Sequence, residues 1–150
     1  MLTATTKHAL RALVHLSRVP DGQSILGRDL AEQAKIPANF LAKILLTLRN
    51  AGFVEATRGF GGGYRLARDA HDIRLIQIAD LFEGASLRKS ECFLGEKRTC
   101  NDKGGCSAHP AWKRVREVFL DFLNTQSIAD IGGSETVVAL QSGGRGRSRK

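Results

Sequence analysis

Three cysteines, Cys92, Cys100 and Cys106, are the only ones in this 150-residue chain. Seven residues separate the first pair, five separate the second, and His109 follows Cys106 after two. The stretch that carries them is rich in glycine and charge. In a reducing cytoplasm such clustering favours a metal or redox site over a structural disulfide. Thiolates suit iron–sulfur clusters, and an imidazole can replace a thiolate while raising the reduction potential. The same three-cysteine, one-histidine set also suits tetrahedral zinc. Free thiols, or a thiol switch without metal, are a third reading. His109-Pro110 ahead of a helix also serves simple capping. An enzyme is disfavoured, because neither a general base–nucleophile constellation nor a cofactor loop stands beside the cysteines.

The charge balance points to a partner. Net charge is +8, and its placement is uneven. Residues 1–70 hold ten Lys/Arg against five Asp/Glu, residues 71–140 nine against ten, and residues 141–150 four against none. Positive charge at the N-terminal end suits a polyanion, since neutralised phosphates release counterions. The same excess is common in soluble proteins that bind nothing charged, so it is a first hint only. No apolar run approaches the roughly 20 residues that span a bilayer, and Met1–Lys7 lacks the build of a signal peptide. The expected location is the cytoplasm.

The elements that must position these groups follow from periodicity. Ala9, Leu10, Leu13 and Val14 share one helical face, and Pro20-Asp21-Gly22 ends that helix. A second helix reads from about Gly27 to Ala34, with Leu30, Ala31 and Ala34 inward. Lys35-Ile36-Pro37 breaks it, and Pro37 suits the start of a third helix. There Leu41, Ile44, Leu45 and Leu48 recur at helical spacing, and Ala51-Gly52 supplies the stop. Two short helices across a tight break match a helix-turn-helix. Residues 53–58 and 64–67 around a glycine-rich tip read as a β-hairpin, the wing of a winged helix. A tip lying against a phosphate backbone must bring its main chain close, which glycine permits.

Ile73, Ile76, Ala79, Asp80 and Leu81 suggest a fourth helix ending near Gly84, and residues 86–109 read as a loop. Pro110 opens a long helix in which Trp112, Val115, Phe119 and Phe122 or Leu123 recur. Ile128 and Ile131 hint at one more turn. From Gln141 the Gly, Ser and basic residues cannot bury enough to fold and are expected to be disordered. The expected fold is thus mainly α with a small β-hairpin: a winged helix-turn-helix unit over 1–84, a cysteine-containing sensor loop over 85–109, a dimerisation helix over 110–131 and a disordered basic tail over 132–150.

The runs Arg49-Asn50-Ala51-Gly52-Phe53-Val54 and Arg58-Gly59-Phe60-Gly61-Gly62-Gly63-Tyr64-Arg65-Leu66-Ala67 resemble the IscR/NsrR-type (Rrf-two) winged-helix regulators of bacteria. Ala9-Leu10-Arg11-Ala12-Leu13 and Ile78-Ala79-Asp80-Leu81-Phe82-Glu83-Gly84 match as well, so the likeness runs from about Thr3 to Ile131. It implies a homodimer with crossing C-terminal helices and two recognition helices on a palindromic operator. It also implies, for many members, an iron–sulfur cluster (2Fe-2S or 4Fe-4S) in the loop before the dimer helix; others carry no cluster. Cys106-Ser107-Ala108-His109 matches the end of the IscR-like cluster loop, whereas the first two cysteines are seven residues apart where that pattern has five. Another branch supplies an Asp from the first helix; here that place is Lys7, with His8 beside it. The ligand set the resemblance implies is Cys92, Cys100, Cys106 and His109.

Candidate DNA contacts are Asn39 and Lys43 on the third helix, Arg58 and Gly59 in the wing, and Arg28 near the start of the second helix. Asn and Lys can read major-groove base edges, and Arg suits a narrow minor groove. Lys43 alone would equally serve as a solvated face or a phosphate contact. Some IscR-like members read bases with a Glu where this chain has Ala42. His15 and His71 read as surface or core-edge residues. The function expected is a sequence-specific transcription regulator, a repressor, sensing redox state, iron–sulfur status or nitric oxide. The alternatives are a cluster-free regulator, a thiol switch, or a zinc-stabilised DNA-binding or adaptor module, since winged helices also mediate protein contacts.

Overall fold

Alternating apolar stripes and turn residues produce six α-helices and one hairpin among the described residues, which are 1–59, 62–89, 92–94 and 101–133 of a computed structural model. The helices are α1 (Ala4–Ser17), α2 (Gly27–Ala34), α3 (Ala38–Asn50), α4 (Leu75–Glu83), α5 (His109–Thr125) and α6 (Ile128–Ile131). Strands β1 (Val54–Thr57) and β2 (Gly63–Leu66) pair antiparallel, with Val54 opposite Leu66 and Thr57 opposite Gly63. No described helix is long and apolar enough to cross a membrane.

The core forms around α1. Its face Ala9, Ala12, Leu13 and Leu16 is buried with Leu30 of α2, Leu41, Ile44, Leu45 and Leu48 of α3, and Ile78 and Ala79 of α4. Small residues at 9 and 12 let the neighbouring helices approach closely, and the leucines fill the space between them. Leu123 near the end of α5 and Ile128 at the start of α6 are buried in the same core. Backbone bonds fasten that end down: Ile128 N–H donates to the Ile73 carbonyl at 2.9 Å and Leu75 N–H to the Gln126 carbonyl at 3.0 Å. The Arg74 guanidinium adds a bond to the Thr125 carbonyl at 2.7 Å.

Three sequence expectations need adjustment. The stretch read as loop from residue 86 begins within a 3-10 helix, Gly84–Arg88, held by the Arg88–Asp80 ion pair back to α4. The long helix starts at His109, one residue ahead of Pro110, because Pro is comfortable in a first turn that needs no N–H from it. On that helix Leu123, not Phe122, faces the core, and Val115 is exposed. The expected disorder of residues 141–150 lies outside the described residues.

The first turn of α1 is capped from 80 residues away in sequence. One Glu83 carboxylate oxygen accepts from Thr3 N–H and from the Thr3 hydroxyl, each at 2.8 Å, and from the hydroxyl of the buried Thr6. A carboxylate at a helix N-terminus also meets the favourable end of the helix dipole. Burial pushes the Glu83 pKa up, but the bonds from Thr6 and Thr3 outweigh it, and the net result lies below the ordinary 4.5. A depressed folded pKa stabilises above the ordinary value and loses that stabilisation as pH falls through the folded one. Glu83→Gln should therefore lower stability by about 1 kcal/mol at neutral pH. Urea unfolding should show the gap between the two proteins closing in acid; a gap independent of pH would mean the charge contributes nothing.

Candidate nucleic-acid interface

The break between α2 and α3 is a Schellman turn. Ile36 N–H donates to the Ala31 carbonyl at 2.9 Å and Lys35 N–H to the Glu32 carbonyl at 3.2 Å. Lys35 carries φ +54°, the one non-glycine residue with positive φ among the described residues. Ile36, immediately after it, is buried and fixes the exit direction. Arg11 of α1 completes the turn, donating to the carbonyls of Ala34 and, at 2.9 Å, Lys35. A cation at a helix C-terminus satisfies orphan carbonyls and meets the negative end of the dipole. The helix-turn-helix angle is thus set by α1 as well as by the turn.

Beyond α3, Gly52 at φ +81° turns the chain into β1, and Phe53 N–H donates to the Leu48 carbonyl at 2.9 Å. The hairpin gains a third partner: Ile25 and Tyr64 exchange two backbone bonds, at 3.0 and 2.8 Å. Gly63 sits at this crossing, where a Cβ would stand 2.3 Å from the Ile25 carbonyl oxygen. Ser24 and Thr57 share a hydroxyl bond at 2.9 Å, and Arg65 pairs with Glu55 across the strands at 2.5 Å. The wing is therefore tied directly to the residues that open α2.

Each candidate DNA contact is exposed on one of these tied elements. Arg28 lies in the first turn of α2 with its side chain 83% exposed, 3.8 Å from Asp29. Asn39 and Lys43 stand one turn apart on the solvent side of α3, and Arg58 and Gly59 follow β1. Gly59 has φ +98° and accepts from Gly62 N–H at 2.9 Å, closing the wing turn. Phe60 and Gly61 lie outside the described residues.

The cysteine segment folds back on the start of α5. Cys92 is half-buried and Cys106 exposed, both as free thiols; Cys100 lies outside the described residues. Phe93 meets Trp112 edge-to-face at 5.2 Å. His109, only 6% exposed, lies 3.3 Å through Nε2 from the Asp102 carboxylate, which also pairs with Lys113 at 3.1 Å. Lys113 first, and His109 after it, hold the Asp102 pKa below the ordinary carboxylate value. Gly105 packs so closely on His109 that a Cβ there would stand 2.7 Å from the histidine Cβ. No three Cys, His, Asp or Glu side chains converge as a metal site among the described residues. The donor chemistry itself, thiols with one imidazole, fits iron–sulfur ligation.

His8, on α1 beside Lys7, buries Nδ1 without a hydrogen-bond partner among the described residues. Burial and the charges of Arg18 and Arg11 lower the His15 pKa. His71 is exposed and bonds Asp69. The roles of Arg11, Lys35, Ile25 and Asp102 were not read from the sequence. Only Ile25 gave a local signal, as a β-branched residue after the Asp21-Gly22 turn.

A family model described as an iron-dependent transcriptional regulator, Rrf2, matches residues 2–133. The chain belongs to the Rrf2 family. Among similar curated proteins, slr0846 of Synechocystis sp., an HTH-type transcriptional regulator by name, is 32% identical over 87% of this chain and 86% of its own length. The HTH-type transcriptional regulator IscR of Vibrio campbellii is 29% identical over 93% of this chain and 81% of its own. The structure of CymR (YrzC), the global cysteine regulator of B. subtilis, superimposes with TM-score 0.73 at 20% identity, covering 88% of this chain and 95% of that one. The protein is thus a DNA-binding transcriptional regulator with the winged helix-turn-helix fold, and not an enzyme.

Lys35 gives this Rrf2 regulator a measurable liability. A side chain in the left-handed region costs about 1–2 kcal/mol, partly offset by the larger entropy that a glycine loses on folding. Lys35→Gly should raise stability by about 0.5–1 kcal/mol, read as a higher urea midpoint at unchanged slope. A lower midpoint would show that the exposed lysine contributes more than its backbone strain costs.

Proposed function

We propose that this protein is a homodimeric repressor, acting in the cytoplasm, that reads a palindromic operator and senses redox state, iron–sulfur status or nitric oxide at Cys92, Cys100, Cys106 and His109. Asn39 and Lys43 read base edges, Arg58 and Gly59 follow the adjacent minor groove, and Arg28 holds a phosphate. The observation that carries the sensor reading is His109: it is both the last member of the donor set and the first residue of α5. Any change in what its imidazole binds is a change at the start of that helix. Val115, Val118 and Phe122 recur along α5 at i, i+3 and i+7 with their side chains exposed, the pattern that a second copy would cover.

In this reading the three thiolates and His109 hold an iron–sulfur cluster, which supplies the redox- and ligand-sensitive chemistry that side chains alone lack. The protein's part is mechanical. Trp112 holds Phe93, Lys113 holds Asp102, and the end of α5 is bonded to the core. A shift at His109 is therefore passed along a helix shared between subunits, altering the spacing of the two α3 helices. A second reading, a thiol switch without metal, is favoured by the Asp102–His109 contact, which gives the imidazole Nε2 a carboxylate of the protein as its partner.

Anaerobically purified protein tests the two. The cluster reading expects a coloured protein containing iron and sulfide, whose absorbance is lost in each Cys→Ala variant and becomes labile in His109→Ala. Loaded and stripped forms should differ in operator affinity by roughly 5–150-fold, the usual range of allosteric coupling. Colourless protein without iron, binding unchanged in the triple cysteine variant, would overturn sensing at these residues. Zinc in place of iron, or affinity that responds only to thiol oxidation, would replace the cluster with the corresponding alternative.

A further inference from the structure

The outward face of α3 carries an apolar residue for which the fold has no use. At about 100° per residue, the buried stripe Leu41, Ile44, Leu45 and Leu48 occupies one side of the helix, and Asn39, Lys43, Leu46 and Asn50 occupy the other. Leu46 stands nearly opposite the middle of that stripe. Its 57% exposure reflects this position, so a repacked core could not recruit it. Ala42, one turn earlier on the same flank, is also exposed. The polar residues around them, Asn39, Lys43 and Asn50, are types that bond base edges. A leucine and an alanine among them make a face that is part donor and part methyl.

The major groove offers one apolar feature, the C5-methyl of thymine, which distinguishes A·T from T·A and from both G·C orientations. We propose that Leu46, with Ala42 beside it, is a specificity-determining residue that selects thymine by covering its methyl group. The inference rests on the reading that α3 enters the major groove and adds what that face prefers there. Leu46 has no hydrogen-bonding group, so it contributes nothing at a base that lacks the methyl. Asn39 and Lys43 supply the polar contacts that fix the register. Covering one methyl in each half-site makes the preference appear at two symmetry-related positions.

The test uses the full chain and duplexes that it enriches from a randomised pool. Each thymine in the enriched duplex is replaced singly by deoxyuridine, which removes the methyl and leaves pairing intact, and binding is followed by fluorescence anisotropy. The expected result is a loss of about fourfold at one position per half-site, the worth of one buried methyl. That loss should be absent in Leu46→Ala, whose exposed position predicts an unchanged melting temperature. Lys43→Ala serves as the reference variant and should weaken binding while keeping the deoxyuridine effect. Native protein indifferent to deoxyuridine at every position, or a sensitivity that survives in Leu46→Ala, would overturn the proposal while leaving the groove reading intact if Lys43→Ala is weakened. No enrichment at all, or full binding by both variants, would overturn the groove reading and the proposal with it.

Discussion

The turn at Lys35 is the constraint on which the rest depends. It fixes the angle between α2 and α3 with a residue that tolerates its conformation poorly, and it holds because the surroundings over-determine it. Two Schellman bonds, the buried Ile36 and the Arg11 guanidinium all act on the same three residues. Arg11 belongs to α1, whose other face is the centre of the core, so the pose of α3 is coupled to nearly everything packed there. A turn held this way is stiff, which suits the base-reading role proposed for α3.

The wing and the C-terminal helix attach to that frame by different physics. Ile25–Tyr64 pairing and the close approach at Gly63 join the wing to the start of α2 through main-chain bonds. Helix α5 is secured at its far end, where Leu123 and Ile128 are buried and Leu75 and Ile128 donate backbone bonds. Its near end rests on polar and aromatic contacts, Phe93 on Trp112 and Asp102 between His109 and Lys113. The Asp102–Lys113 pair is exposed, and exposed ion pairs contribute little individually. The asymmetry leaves the cysteine end of α5 held by fewer buried groups than the core end.

Much of this was legible in the sequence. The i, i+3, i+4 spacing of Leu41, Ile44, Leu45 and Leu48 and the break at Lys35-Ile36-Pro37 located the helix-turn-helix, because one-face burial leaves a periodic trace. The glycines around residue 60 marked the wing, because close approach selects for a missing side chain. The turn's details were not legible: Lys35 has no propensity for its conformation, and Arg11 reaches it by tertiary geometry alone. The Glu83 cap on Thr3 and Thr6 spans 80 residues, beyond any local pattern. The cysteine spacing points to a candidate donor set, but Asp102 as the partner of His109 depends on how the loop folds back. Leu46 follows the helical period on its polar side, where an apolar residue looks like noise until the fold shows that no core can take it.

Paired footprints of the enriched duplex test most directly whether α3 and the wing read adjacent grooves. With native protein, guanine N7 methylation should be blocked in two major-groove segments about one helical turn, or a multiple of it, apart. Sugar protection should appear in the flanking minor groove, and Arg58→Ala should abolish it while the N7 protection remains. Guanine N7 left open throughout, or minor-groove protection indifferent to Arg58, would contradict the placement of both elements.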